Sequence, residues 1–393
     1  NFLWGAAISA YQVEGGNVFS DWYAWEQSGK TIDKCGEAVQ HARYFAHDID
    51  LAADLGMNAF RISIEWSRIE PSPQRLNTKE LERYRQVLLR MKQRGLQTFV
   101  TLHHFTLPQW FVLRGGFEKR SNIVYFLNFV RLIADEFKEL IDFWIVLNEP
   151  MIYAAHGYFE GSFPPGKQSR SLYMQVLHNL VYTHKHAYRL IHAHVEHAQV
   201  GIAKNNQFFE PASNRFLDRW VVKKTQQHWN HFFLRKVEKE LDFIGLNYYF
   251  HNRLSFRLYA GWQPNHIYSV IRNENLEQGD NGFEIYPKGL YHVLMELKEY
   301  HKPVYITENG IADRSDLKRQ KFLYDHLKEV YIALKDFCDV RGYLYWSLLD
   351  NYEWGSFGPR FGLASVNYKT FERRLRPSAI YYKGIIKENA IVF

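Results

Sequence analysis

The chain has 393 residues, 46% hydrophobic and 23% charged, a composition that excludes general disorder. No run of about 18 apolar residues occurs, so no membrane-spanning helix is expected. The net charge is +7, but the basic residues are dispersed, with Lys223–Lys224, Arg235–Lys236 and Arg373–Arg374 the densest clusters, and a nucleic-acid partner is not expected.

Short apolar runs alternate with amphipathic stretches along the whole chain. Residues 2–7 predict a first strand. An amphipathic stretch, 43–55, stops at Gly56, and residues 59–64 predict strand two. The periodic stretch 79–94 stops at Gly95, and 97–102 predict strand three. Stretch 123–140 precedes strand four at 143–147, and the His-rich stretch 171–196 precedes strand five at 200–203. Stretch 214–240 leads to strand six at 243–246, stretch 286–300 to strand seven at 304–307, and stretch 316–337 to strand eight at 342–346. A last helical segment, 377–387, closes the chain.

Continuous apolar strands joined by crossover helices are parallel and buried on both faces. Eight of them predict an α/β fold, a closed (β/α)8 barrel with its active site at the C-terminal ends of the strands. No glycine-rich phosphate turn follows strand one, which disfavours an open dinucleotide-binding sheet. With no linker or low-complexity tract, residues 1–393 are expected to be one domain, although such barrels average only about 250 residues. The chain opens inside the apolar run Asn1-Phe2-Leu3-Trp4-Gly5, so a few preceding residues are expected. The two cysteines, Cys35 and Cys338, form no CxxC pair and fit a reducing compartment, so a cytoplasmic location is the default expectation.

Working residues of such a barrel follow the strand ends. Here these are Gln12 and Glu14; Arg61 and Glu65; His103 and His104; Asn148 and Glu149; Asn247, Tyr248 and Tyr249; Glu308 and Asn309; and Trp346, Asp350, Asn351, Glu353 and Trp354. Carboxylates and amides suit sugar hydroxyls, and tryptophan suits the C–H face of a sugar ring. An aromatic content of 17% points the same way. Glu149 and Glu308 follow strands four and seven, so they are expected to face each other across the mouth. A pair of carboxyls flanking one bond is the minimum equipment for glycoside hydrolysis.

These residues carry a resemblance. The stretches Phe2-Leu3-Trp4-Gly5-Ala6-Ala7 with Tyr11-Gln12-Val13-Glu14-Gly15, Arg61-Ile62-Ser63-Ile64-Glu65-Trp66-Ser67, Thr101-Leu102-His103-His104-Phe105, Leu147-Asn148-Glu149-Pro150, Gly245-Leu246-Asn247-Tyr248-Tyr249, Ile306-Thr307-Glu308-Asn309-Gly310 and Tyr345-Trp346-Ser347-Leu348-Leu349-Asp350-Asn351-Tyr352-Glu353-Trp354 resemble, in colinear order, those of glycoside hydrolase family 1, the β-glucosidases and β-galactosidases. The resemblance implies a retaining, exo-acting β-glycosidase, most readily a β-glucosidase with β-galactosidase or β-fucosidase side activity. Glu149 would be the acid/base and Glu308 the nucleophile, with Arg61, Asn247 and Tyr249 supporting the latter. Gln12, His104, Asn148, Trp346, Glu353 and Trp354 would hold the sugar, and a carboxylate at Glu353 would repel a phosphate, which implies unphosphorylated substrates. The implied partner is a small β-glycoside or oligosaccharide, with no cofactor. Alternatives are a transglycosylase using the same carboxylates and a non-catalytic sugar-binding protein.

The chain departs from the family pattern at Phe105 and Thr106, where many members carry Trp and Asp, and in a connection, 208–242, that is shorter than usual. Loop aromatics Tyr158, Phe159, Phe163, Trp262 and Tyr268 either line the leaving-group side or pack beneath the loops. His178, His184, His186, His192, His194 and His197 share one stretch, but without a Cys or HExxH partner pattern no metal is expected.

Overall fold

The computed structural model describes residues 2–256 and 277–391, and the backbone of a short strand, Tyr268–Ile271, between them. Eight parallel strands close a barrel: β1 (Leu3–Ala7), β2 (Ala59–Ser63), β3 (Gln97–Thr101), β4 (Phe143–Asn148), β5 (Gln199–Asn205), β6 (Phe243–Asn247), β7 (Val304–Asn309) and β8 (Val340–Trp346). Neighbours follow chain order around the ring, and β8 closes on β1. Every residue of β2, β4, β6 and β7 is buried, as continuous apolar runs with helices outside and a filled interior require. Each expected run falls on one strand.

One end of the barrel is plugged. Ala59, Phe99, Phe143, Ala203, Phe243, Tyr305 and Leu344 fill it, and the rings of Phe99 and Phe143 stack 4.1 Å apart at 3°. Ligand space is left at the opposite end, where the strands finish. Register fixes what gathers there. Ala7 lies beside both Trp346 and Arg61, Asn148 lies opposite Ala203, and Asn205, Asn247 and Glu308 form one row.

The crossover helices begin and end where local chemistry directs. The helix Thr78–Gln93 is capped by Asn77, whose side chain accepts the Glu80 N–H, and the chain leaves at Gly95 with φ of 72°. The helix Arg170–His194 is capped by Ser169 in the same way. The expected stretch 214–240 is instead broken into Phe216–Gln226, a π turn at Gln227–His231, Phe232–Val237 and a final turn, Glu238–Glu240. The π turn swings Asn230 onto the backbone after β5: its amide donates to the Gln207 carbonyl at 2.9 Å, and its oxygen accepts the Gln207 N–H at 3.1 Å.

Beyond the barrel, Phe208–Pro211, His251–Phe256 and Tyr268–Ile271 form a small sheet that the sequence did not predict. Arg253 braces it between Glu210 at 2.5 Å and Glu284 at 3.3 Å. Phe208 pairs with His251, far along the chain, so no local pattern marks that pairing. Among the described residues no helix is long and apolar enough to cross a membrane.

Candidate active site

Glu149 stands at the end of β4 with φ of 44°. Its N–H donates to the Ala203 carbonyl at 2.7 Å, and Pro150 starts the short helix Pro150–Ala154 behind it. The left-handed backbone of a glutamate is costly, and the neighbouring Phe105 and Trp354, at φ of 70° and 40°, carry the same strain. Glu308 sits in β7 in register with Asn247. Behind it, a Cβ on Gly310 would lie 1.8 Å from the Trp346 carbonyl oxygen, so only glycine lets β7 and β8 approach this closely.

Arg61 joins the two carboxyls into one network. Fully buried, it donates to Glu308 Oε1 at 2.5 Å, the Thr307 carbonyl at 3.3 Å, Thr101 Oγ1 at 3.1 Å and Asn148 Oδ1 at 2.7 Å. Tyr249 donates to the other Glu308 oxygen at 2.9 Å. Asn247, expected beside these two at the nucleophile, divides itself. Thr307 Oγ1 occupies its carbonyl at 2.7 Å, so its amide turns to Glu149 Oε1 at 2.8 Å and Asn148 Oδ1 at 3.1 Å, while it also favours the charge of Glu308.

Burial and the charge of Glu308 push the Glu149 carboxyl up to about 7. Burial leaves Glu308 raised as well, although Arg61, Tyr249 and Asn247 act against it. Two carboxyls this strongly coupled share their first negative charge, and the guanidinium and phenol locate it on Glu308. The proton stays on Glu149.

The remaining polar groups form a second cluster around Glu353. Gln12 donates to it at 3.0 Å and to Asn351 at 3.2 Å, and Trp346 hydrogen-bonds it as well. Burial and the nearby Glu308 lift the Glu353 carboxyl to about 8. The expected repulsion of a phosphate by an ionised Glu353 is therefore weak at neutral pH. What disfavours a phosphate is the lining itself, which among the described residues has no Lys or Arg. Asn148 Nδ2 donates to His104 Nε2 at 3.1 Å, which places the His104 proton on Nδ1, a buried atom with no hydrogen-bond partner among the described residues. The His104 ring lies nearly parallel to Trp346 and Trp354, at 6.1 and 5.9 Å.

His104, Asn148, Glu149, Tyr249, Glu308, Trp346, Glu353 and Trp354 line one cleft at the mouth of the barrel. Other rim residues serve the scaffold. Glu14 is bound by Arg68, Arg83 and Tyr84; Glu65 by Asn17, Ser67 and Thr106; and Asp350 by Arg376. His103 packs edge-on against Phe117 and Tyr153. Phe105 lines the cleft without a donor, and Thr106 spends its hydroxyl on Glu65 at 2.7 Å. The stretch of histidines is likewise engaged singly, His184 with the Glu240 carbonyl, His192 with Asp242 and His194 with Asp135.

Part of the cleft wall is apolar. Ile152, Phe163, Phe250, Phe283 and Phe361 line it, with His156 stacked on Phe163 at 4.6 Å. Of the loop aromatics, Phe163 lies there, Tyr158 and Phe159 pack inward on Tyr153 and Tyr173, Trp262 lies outside the described residues, and of Tyr268 only the backbone is described. The sequence reading missed Asn205, whose amide reaches Glu149 Oε1 at 3.3 Å. It ends β5, so the strand-end rule applied to that strand would have found it.

Comparison with known proteins follows the same line. The family model described as glycosyl hydrolase family 1 matches residues 1–239 and 234–391. Beta-glucosidase A of Thermotoga maritima is 31% identical over 440 aligned residues, covering 99% of this chain and 98% of that protein. A beta-galactosidase of Saccharolobus solfataricus is 30% identical, covering 100% and 95%. Among solved structures, a beta-glycosidase from Pyrococcus horikoshii matches with a TM-score of 0.93 at 38% identity, over 98% of this chain and 94% of that one. The T. maritima beta-glucosidase in complex with glucoimidazole matches at 0.93 and 30% identity, over 99% and 98%. By its barrel, its paired carboxyls and these matches, the chain belongs to glycosyl hydrolase family 1 and is a glycoside hydrolase.

Proposed function

We propose that the protein is a retaining, exo-acting β-glycosidase that removes unphosphorylated β-linked glucose, with galactose or fucose as side substrates. The observation that carries this reading is the unequal bonding of its two carboxyls, Glu308 on a guanidinium and a phenol, Glu149 on amides alone. In the first step the Glu308 carboxylate attacks the anomeric carbon. The glycosidic C–O bond breaks, its electron pair stays on the leaving oxygen, and the Glu149 proton moves to that oxygen. In the second, Glu149 takes a proton from water as the water oxygen bonds to the anomeric carbon, and the ester to Glu308 breaks to restore its carboxylate.

Asn148, fixed by Arg61 and Asn247, suits the 2-hydroxyl, and the His104 imidazole, which lines the cleft, suits a neighbouring hydroxyl. Glu353 accepts from the far hydroxyls above Trp346. The apolar part of the cleft wall suits a flat aryl or alkyl leaving group. The test is hydrolysis of a nitrophenyl β-glucoside followed by proton NMR. A first-formed β-anomer is expected, and a first-formed α-anomer would overturn the retaining assignment.

A further inference from the structure

A charged cluster in the small outer sheet stands behind the apolar part of the cleft wall. His251, whose side chain is fully buried, sets Nδ1 2.9 Å from Glu284 Oε2 and Nε2 3.1 Å from Glu210 Oε1. Its ring lies nearly flat on Tyr286, at 3.8 Å and 17°, with Phe208 at 5.5 Å. Arg253 spans the same two carboxylates. The residues next to this cluster in the chain form the wall. Phe250 precedes His251 and Phe283 precedes Glu284, and the rings of Phe250 and Phe283 meet at 4.5 Å and 61° where they line the cleft. Successive side chains of an extended segment point to opposite sides, so the aromatic pair stands in front and the ionic pair behind. Each segment has its own backbone anchor. The Phe250 carbonyl accepts the Phe208 N–H at 3.0 Å, and the Phe283 carbonyl accepts the Gly279 N–H at 2.9 Å. Side chains link the two segments: His251 and Arg253 reach Glu284, and the Tyr248 hydroxyl donates to the Tyr286 carbonyl at 2.7 Å.

We propose that His251 is a positioning residue for leaving-group specificity: by holding Glu284 it fixes Phe283 against Phe250, and so shapes the apolar wall that receives an alkyl or aryl leaving group. The proposal rests on the reading of that wall given above. His251 is not among the residues that line the cleft, so it acts through the two rings. Phe283 is 38% exposed and sits on a tight turn, so packing alone holds it weakly, and a directional bond at the next residue supplies what packing lacks. Tyr249, on the other side of Phe250, donates to Glu308 at 2.9 Å. A disturbance that spread along this segment would therefore reach the nucleophile and slow every substrate alike, whereas loss of the clamp alone acts on the leaving group.

The experiment compares kcat/KM on octyl and methyl β-glucoside for wild type, His251→Phe and His251→Gln, with inhibition by free glucose measured alongside. The two leaving alkoxides are matched in basicity, so the ratio of the two values reports contact with the wall and not the cleavage itself. Phenylalanine keeps a flat ring on Tyr286 and removes both ring nitrogens, and the glutamine amide can still donate to Glu284. The octyl-to-methyl ratio is expected to fall about tenfold in His251→Phe and to recover most of that loss in His251→Gln. Glucose, which occupies the glycon end, should inhibit all three alike. A ratio in His251→Phe equal to that of wild type, or an equal loss on both glucosides, overturns the proposal. If His251→Phe does not fold, His251→Leu carries the same test. Phe283→Ala separates the two levels of inference. An unchanged ratio in that variant overturns the reading of the apolar wall, whereas a lowered ratio there beside an unchanged one in His251→Phe overturns the role of His251 alone.

Discussion

Arg61 and Asn148 meet at 2.7 Å, and through that contact the two carboxyls of the cleft belong to one rigid network. From Arg61 the network runs to Glu308, and from Asn148 through Asn247 to Glu149. The same amide that we assign to the sugar thus links the two carboxyls.

Replacing Glu308 by Gly removes the attacking oxygen and opens space where azide fits. Activity on a nitrophenyl β-glucoside is expected to fall on the order of 10⁴-fold or more. Azide should restore turnover, giving an α-glycosyl azide by a single inversion. In Glu149→Ala the azide product should be β, because attack then falls on the glycosyl-enzyme. The same azide anomer from both variants would contradict the two assigned roles.

The Glu149 carboxyl at about 7 predicts where activity fails with alkali. The acid must be protonated to work, so kcat/KM on an alkyl glucoside should decline as pH rises through about 7, and Glu149→Gln should lose this limb along with about 10²–10⁴-fold of the rate. Dinitrophenyl glycosides, whose leaving group needs no proton, should lose much less in that variant.

Arg61 is buried with its partners complete, so removing it leaves both Glu308 and Asn148 unsatisfied. Arg61→Met is expected to cost about 3–5 kcal/mol of stability, read as a lowered denaturant midpoint. Arg61→Lys should fold better but lose the fork that holds Glu308 and Asn148 together, so its kcat should fall although a charge is kept.

Glu353 is lifted to about 8, so near neutral pH its protonated form predominates in the empty cleft. Glu353→Gln imitates that form and should raise KM less than Glu353→Ala does. Neither variant should cleave a 6-phosphoglycoside, since no cation lines the described cleft. Appreciable turnover of such a substrate by wild type would refute the reading of the glycon site.

Stability should fall between mildly acid and mildly alkaline pH. Burial raises Glu65 to about 7 and Asp21 to about 8, above their ordinary 4.5 and 3.8. The unfolded chain releases these protons at lower pH than the fold does, so their contribution is complete below about 4 and is lost as pH rises through the folded values of about 7 and 8. Thermal midpoints at pH 5.5 and 8 should differ in that sense, and Glu65→Gln should reduce the difference. An unchanged difference would mean that Glu65 is already ionised in the fold.

The sequence by itself determined the eight strands, the barrel and the rim positions of Glu149, Glu308 and Trp346, because strand runs and crossover helices are local patterns whose burial follows directly from their composition. The family motifs likewise sit at strand ends, where residue type and position can be read together. Only the tertiary structure decided that Asn247 turns toward Glu149, since that follows from Thr307 taking its oxygen across a neighbouring strand. The small outer sheet and the break at Gln227–His231 also depend on partners distant in the chain. So does the state of each carboxyl. Glu149, Glu308 and Glu353 are the same residue, and which carries charge depends on how deeply each is buried, which donors reach it and how close another carboxyl stands. Those are properties of three-dimensional neighbours, and a linear reading of the three glutamates could not supply them.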